Sequence, residues 1–228
     1  MHGEYGKSAG PKWLLALVHL AAVGVAAWLL LGGGLQSVAA LRGSAWPVAS
    51  LARRWMLVGC ALGYFLRVNV TVFYLLQRKF GWGEAGFIAI WAVVIHTLFA
   101  YWGGTNSQAL NPVVATLALL FYVSGSVLNT GSELQRKWWK DQPQNKGRLY
   151  TGGFFRYAMH INYFGDELLF TGYAMLTGSA WAFLIPVLMI AGFVFASIPQ
   201  LDRHLREHYG AEFDDYARRT REFVPFIY

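Results

Sequence analysis

Long apolar runs separated by short polar connections dominate the chain. The runs at 13–31, 55–76, 86–102, 112–128, 163–177 and 180–198 are each about the length needed to cross a hydrocarbon core of roughly 30 Å. They predict an all-α fold, a polytopic transmembrane helical bundle of about six spans. The fifth run opens among polar residues, and only Gly178 and Ser179 part it from the sixth, which predicts a tight helical hairpin. The first run is followed by Gly32-Gly33-Gly34 rather than by a small-residue cleavage pattern, so it reads as a retained helix and not as a secretory signal. A Gly- and Ser-dotted connection then sets an N-terminal helix and linker (1–50) apart from a single larger domain (51–228). Pro112 with Asn111 before it has the form of a capped helix start. From Asp202 onward the pattern is basic and acidic by turns. It predicts a C-terminal extramembrane helix, amphipathic through His204, Leu205, His208, Tyr209, Phe213 and Tyr216.

Composition agrees with the pattern: 56% hydrophobic and 14% charged residues exclude a single soluble domain of 228 residues. The bilayer is therefore the first expected partner. The net charge of +7 is unevenly placed. Arg136, Lys137, Lys140, Lys146, Arg148 and Arg156 gather between the fourth and fifth spans, and Arg203, Arg206, Arg218, Arg219 and Arg221 follow the sixth. With Lys7, Lys12, Arg78 and Lys79 on the same face, the positive-inside rule puts both termini in the cytosol or matrix, against the weaker contrary signal of Arg42, Arg53 and Arg54. Endoplasmic reticulum, mitochondrial inner membrane and bacterial inner membrane all fit that orientation. Topology accounts for the basic excess, so no nucleic-acid partner is expected. Cys60 stands alone inside a span and excludes an intrachain disulfide. His19, His96, His160, His204 and His208 are dispersed; His204 and His208 share i, i+4 spacing without the acid of a zincin helix, and no metal site is expected. With no P-loop and no GxGxxG after a strand, any nucleotide would be held by helices.

Polar residues interrupt the apolar spans in helical stripes. Tyr64, Arg67, Thr71, Tyr74 and Arg78 recur every three or four residues on the second span. An arginine at that depth must turn inward and be paired. Asn129, Ser132, Glu133, Arg136, Lys137 and Lys140 continue the fourth span as a second stripe, suited to a diphosphate or, equally, to cations snorkelling beside the interface aromatics Trp138 and Trp139. Further on, a helix opening at Asn162 would stack Asn162 and Asp166 at i and i+4, with Gly165 between them admitting a planar ring or another backbone. Dipole compensation explains one acid in a first turn; Asn162, Asp166 and Glu167 together point to hydrogen bonding toward a ligand.

The segments Asn129-x-x-Ser132-Glu133, Gly152-Gly153-x-Phe155-Arg156-Tyr157, Asn162-Tyr163-Phe164-Gly165-Asp166 and the terminal Val224-Pro225-Phe226-Ile227-Tyr228 resemble the membrane steroid 5-alpha-reductase family and its bacterial relatives, distant cousins of the isoprenylcysteine carboxyl methyltransferases. Gly63-Tyr64-Phe65-Leu66-Arg67 and Gln77-Arg78-Lys79 extend the resemblance to residues 55–228. The resemblance implies NADPH held in a helical bundle and hydride transfer to the β carbon of an enone whose carbonyl the protein polarises, in a lipophilic steroid- or isoprenoid-like substrate. Tyr64 matches the carbonyl-polarising tyrosine, with Arg67 or His96 as further donors. Asn129, Glu133, Asn162 and Asp166 match cofactor-contacting positions, Asp166 standing where glutamate is usual. Arg78, Lys79, Lys140 and Arg156 would contact phosphates, and Ser132, Tyr157 and Tyr209 complete the implied cofactor set.

Two departures bear on activity. Residues 36–54, where the family carries its catalytic glutamate, hold no Asp or Glu, and His160-Ile161-Asn162 replaces His-Pro-Asn. Loss of one oxyanion donor typically lowers a rate about 100- to 1000-fold. Two other functions are consistent with the same residues: a non-catalytic subunit among other membrane subunits, and an S-adenosylmethionine-dependent methyltransferase. Against the latter, Met159 and Ile161 stand where the methyltransferases carry the arginine and proline of their Arg-His-Pro motif.

Overall fold

The structure, a computed structural model, describes residues 8–227; Lys7 and Tyr228 of the readings above lie outside them. Among the described residues the fold is all-α. Helices α1 (Ala9–Leu31), α2 (Gly34–Leu41), α3 (Leu51–Leu75), α4 (Trp82–Gly104), α5 (Pro112–Lys140), α6 (Ile161–Thr177), α7 (Ala180–Tyr209) and α8 (Ala211–Arg219) follow one another. Of these, α1, α3, α4, α5 and α7 are long and apolar enough to cross a bilayer, which makes the chain an integral membrane protein. The expected fifth span is α6, at 17 residues shorter than the five spanning helices and about 25 Å long. Helices suit this setting because they satisfy every backbone group within the segment.

The chain forms two compact units, Met1–Leu119 with Gly172–Phe183, and Leu120–Thr171 with Leu184–Tyr228. Within the first unit, α1 packs chiefly on α4 and next on α3.

In that first unit small residues bring the helices together. Ala85, Ala89, Ala92, Ala100, Gly103 and Gly104 on α4 are buried, as are Ala16, Ala22 and Ala26 on α1. A Cβ at Gly104 would lie 2.9 Å from the Leu30 side chain, so a larger residue there would force the leucine side chains packed on it to shift. Trp13, Leu17, Phe87 and Ile90 remain exposed on outer faces, as lipid-facing residues should be. Two of the cations that ran against the charge rule have internal partners. Arg53 is buried and its Nη1 donates to Asn106 O at 2.5 Å, while Arg54 Nη1 donates to Leu30 O at 3.0 Å, satisfying an end carbonyl of α1. Asn111 caps α5 as expected, its Oδ1 accepting from Val113 N at 2.9 Å. The turn before α7 has Gly178 at φ +67°, a left-handed conformation that suits glycine.

In the second unit, α5 and α6 cross at a glycine pair. A Cβ on Gly165 would lie 2.5 Å from Asn129 N and 2.7 Å from Gly125 O, so the backbones touch here and only glycine fits. The segment before α6 is held by the C-terminal tail, with Met159 N donating to Arg221 O at 2.7 Å and His160 N to Glu222 O at 2.9 Å. The expected tail helix differs from the one observed. Residues 201–209 continue α7 without interruption, Gly210 breaks the helix at φ +52°, and α8 ends at Arg219. Phe213 and Tyr216 of α8 bury themselves against Leu149.

Candidate functional site

Helix α5 carries the second stripe of polar groups through a π-helical stretch, Val127–Gly131, of the kind that often marks functional positions because the altered register turns a side chain inward. The residue turned is Asn129, which is buried. Its Nδ2 donates to Asn162 O at 2.9 Å and to Asp166 Oδ2 at 3.1 Å, and Asn162 Nδ2 donates to Glu133 Oε1 at 3.1 Å. Four of the residues singled out from sequence thus form one hydrogen-bonded network. The Gly125–Gly165 contact makes it possible, since it brings α5 and α6 close enough for an asparagine to span them. Of the two visitors that Gly165 could admit, the structure shows the neighbouring backbone. Ser132 is buried and donates to Asn129 O at 2.9 Å, a bond internal to α5.

Beside the network lies a cavity of about 230 Å³ whose lining includes Arg136, Lys140, Tyr150, His160, Asn162 and Tyr209. Asn162 therefore belongs both to the network and to the cavity wall. Lys140 Nζ donates to Tyr209 OH at 2.7 Å and to Arg148 O, and Arg136 pairs with Glu133 while lying over the Phe155 ring. His160 is buried and its Nε2 donates to Asp202 Oδ1 at 2.8 Å, which fixes the proton on that nitrogen, because a carboxylate only accepts. Tyr216 donates to Phe155 O at 2.5 Å, and burial raises its phenol well above the usual range, so it remains a donor. Burial raises Tyr150 in the same direction. Arg156 and Tyr157 pair with each other, guanidinium on phenol oxygen and over the ring, and Tyr157 meets Phe226 of the tail.

The remaining candidates belong to the first unit. Tyr64 is buried with His19 and His96 around its ring, at centroid distances of 5.1 and 5.8 Å, and the Arg67 guanidinium stands 5.2 Å from its centroid. Arg67 thus turns inward, as its depth requires. Arg78 forms a two-pronged ion pair with Glu84, Nη1 to Oε2 at 2.8 Å and Nη2 to Oε1 at 2.5 Å, with Lys79 beside it in sequence.

Some contributors escaped the sequence reading. Gln135, whose Oε1 accepts from Phe154 N at 2.9 Å, holds the Gly152-Gly153 turn, and a Cβ on Gly153 would strike its side chain. His160 and Asp202 are 42 positions apart, and no local spacing announces their pair. The same is true of His19 and His96, 77 positions apart.

Residues 85–220 match the family described as "Protein of unknown function (DUF1295)". Among curated proteins, the chain is 34% identical over 95 residues to the probable O-methyltransferase ustE of Ustilaginoidea virens, covering 41% of this chain and 33% of that protein. It is 25% identical over 113 residues to the 3-oxo-5-alpha-steroid 4-dehydrogenase 2 of Homo sapiens, covering 50% of this chain and 42% of that one. The Macaca fascicularis protein of the same description gives 25% over 112 residues, with 49% and 42% covered. The matches thus take in between a third and about two fifths of these relatives' lengths.

Proposed function

The chain belongs to the DUF1295 family, whose match takes in residues 85–220, and for this member we propose a membrane oxidoreductase that uses NADPH to reduce a carbon-carbon double bond conjugated to a carbonyl in a lipophilic, steroid- or isoprenoid-like substrate. The observation that carries the reading is the Asn129–Glu133–Asn162–Asp166 network with a cation-bearing cavity against it. An amide, a carboxylate and a second amide in fixed relation are what a nicotinamide carboxamide or a ribose hydroxyl pairs with. Two cations among phenols suit a sugar phosphate. At about 230 Å³ the cavity is smaller than the roughly 300–1,000 Å³ of pockets for drug-sized ligands, so it suits one phosphorylated end of a dinucleotide rather than the whole. The buried Thr130 Oγ1, next to Asn129, has no hydrogen-bond partner among the described residues and adds capacity for a polar ligand atom.

When bound, the reduced nicotinamide supplies a hydride. The work left to this chain is to orient the dinucleotide through Asn129, Asn162, Asp166, Lys140 and Arg136, and to polarise the substrate carbonyl through the Tyr64 hydroxyl, whose ring lies against the Arg67 guanidinium. The relatives described as 3-oxo-5-alpha-steroid 4-dehydrogenases support the same class of chemistry.

Thermal unfolding tests the cofactor assignment. NADPH at 100-fold excess over its Kd stabilises a binding protein by about 2.7 kcal/mol, so the melting temperature should rise measurably for the unaltered chain and stay fixed for Asp166→Ala and Asn162→Ala. An equal rise in all three proteins would remove these side chains from the site.

A second reading has its own support in the 34% identity to a protein described as a probable O-methyltransferase. S-adenosylmethionine would then occupy the same cavity. A melting shift with S-adenosylmethionine and none with NADPH would establish that alternative.

A further inference from the structure

Arg53, in the first turn of α3, is 2% exposed, and its charge is hydrogen-bonded without being neutralised. Its Nη1 donates to Asn106 O at 2.5 Å, and its Nε is buried with no hydrogen-bond partner among the described residues. A carbonyl satisfies a donor but does not cancel a charge. Arg54, next to it, likewise donates to a carbonyl, Leu30 O at 3.0 Å. The C-terminal end of α4, just before Asn106, supplies roughly half a negative charge, so a positive excess remains. No acid is placed to remove it. Glu84 is the one acid among the described residues of the first unit; it stands in the first turn of α4, at the far end of that helix, and is committed to Arg78. A guanidinium buried without a carboxylate is costly unless a negative charge arrives from elsewhere.

Against this guanidinium lies a cavity of about 690 Å³, at the end of α4 away from Arg78 and Lys79. Asn106 and Gly178 form part of its wall, and both abut Arg53: Asn106 through the bond above, and Gly178 because a Cβ there would lie 3.1 Å from Arg53 Nη2 and 2.7 Å from Asn106 Nδ2. Asn106 is fixed in place, its Nδ2 donating to Thr177 O at 3.1 Å and its Oδ1 accepting from Gln108 N at 3.0 Å. The rest of the lining is of two kinds. Ser107, Gln108 and Ser179 bring hydroxyl and amide donors, with no carboxylate among the lining residues, and Trp102 and Trp181 bring indole rings. Tryptophan near the end of a spanning helix sits at headgroup level. That placement explains the indoles alone. It does not explain neutral donors gathered against an arginine that lacks a counter-charge.

We propose that this cavity holds the phosphate headgroup of an anionic membrane lipid. The phosphate oxygens accept hydrogen bonds from Ser107, Gln108 and Ser179, and the indoles lie beside the lipid's glycerol region at the membrane edge. Arg53 acts from behind the wall. Its field reaches the cavity past Asn106 and Gly178 without contact with the ligand, and a concave wall of low polarisability strengthens such a field. At about 690 Å³ the cavity falls within the roughly 300–1,000 Å³ of sites that enclose a molecule of this size. The site belongs to the first unit and does not depend on the reductase reading. It also gives Arg53, a cation that runs against the charge rule, a reason for its place.

Native mass spectrometry of the full chain in neutral detergent reads the site, with phosphatidylglycerol as the anionic lipid and phosphatidylcholine as the zwitterionic one. The unaltered chain should hold phosphatidylglycerol about 10-fold more tightly than phosphatidylcholine, and Gln108→Glu, which keeps the size of an exposed side chain and sets a negative charge at the cavity, should lose most of that preference. Basic residues elsewhere are the same in both proteins, so the difference between them belongs to this cavity. Arg53→Gln, which removes the charge and keeps a donor for Asn106 O, should lose the preference as well; if that variant does not fold, the exposed Gln108 carries the test alone. Equal hold on the two lipids by the unaltered chain, or an unchanged preference in either folded variant, would overturn the proposal. Inorganic phosphate should leave the melting temperature where it is. A rise as large as the one phosphatidylglycerol gives would assign the cavity to a soluble anion and overturn the lipid.

Discussion

Lys140 illustrates how a single side chain is committed before any ligand arrives. Its ammonium donates to Tyr209 OH and lies 4.9 Å from that ring's centroid, so it is held at the cavity wall rather than swinging free. A pre-positioned cation loses less freedom on binding an anion than an unrestrained one, and its contribution to affinity is correspondingly larger. Replacing it, Lys140→Ala, should weaken NADPH binding by about 10-fold at low ionic strength, with the gap to the unaltered chain narrowing as salt is added. Titration calorimetry at two salt concentrations reads both effects; a gap that salt does not change would mean that Lys140 acts by packing. From the residues alone Lys140 was legible as a cation of the α5 stripe, and its part as a phosphate contact only through the family resemblance. Its partner Tyr209 sits 69 positions away, and the amphipathic pattern of the tail showed that Tyr209 faces inward without showing what it faces.

At the scale of the element, the crossing of α5 and α6 is the contact on which the polar network depends. Gly165→Ala adds one methyl where Asn129 N and Gly125 O already lie within 2.7 Å of its position, and both obstacles are backbone, which cannot rotate away. The substitution should destabilise the protein by about 1–3 kcal/mol and abolish NADPH-dependent stabilisation, because separating the helices breaks the Asn129 bonds to Asn162 and Asp166. An unchanged melting temperature in detergent would contradict the close crossing. Sequence made the helices themselves readable, since runs of apolar residues leave few alternatives, and Asn111 announced its cap. It misled at the end of the last apolar run. From Asp202 onward the polar pattern reads as a separate helix, yet the helix continues through Pro199 to Tyr209, with a π-helical stretch at Phe193–Ser197 just before the proline. A widened turn there relieves the clash that proline makes with the preceding carbonyl, so the break falls at Gly210 instead.

Over the whole molecule, the chemistry divides along the two compact units. The Tyr64, His19, His96 and Arg67 cluster belongs to the first, and the amide and carboxylate network with its cavity belongs to the second. That Asn129, Glu133, Asn162 and Asp166 of the second lie together was legible because they stand at helical spacing in two short segments. The first was foreseen only in part, because His19 and His96 come from helices whose pairing no local pattern specifies. The most direct test is a single turnover. Purified protein in lipid nanodiscs is incubated with NADPH carrying deuterium at the transferable position of its nicotinamide and with a lipophilic enone, and the product is analysed by mass spectrometry. The expected product is a saturated ketone with one deuterium on the former β carbon. Unreduced enone recovered beside intact NADPH, or a methylated product formed only when S-adenosylmethionine is added, would contradict it.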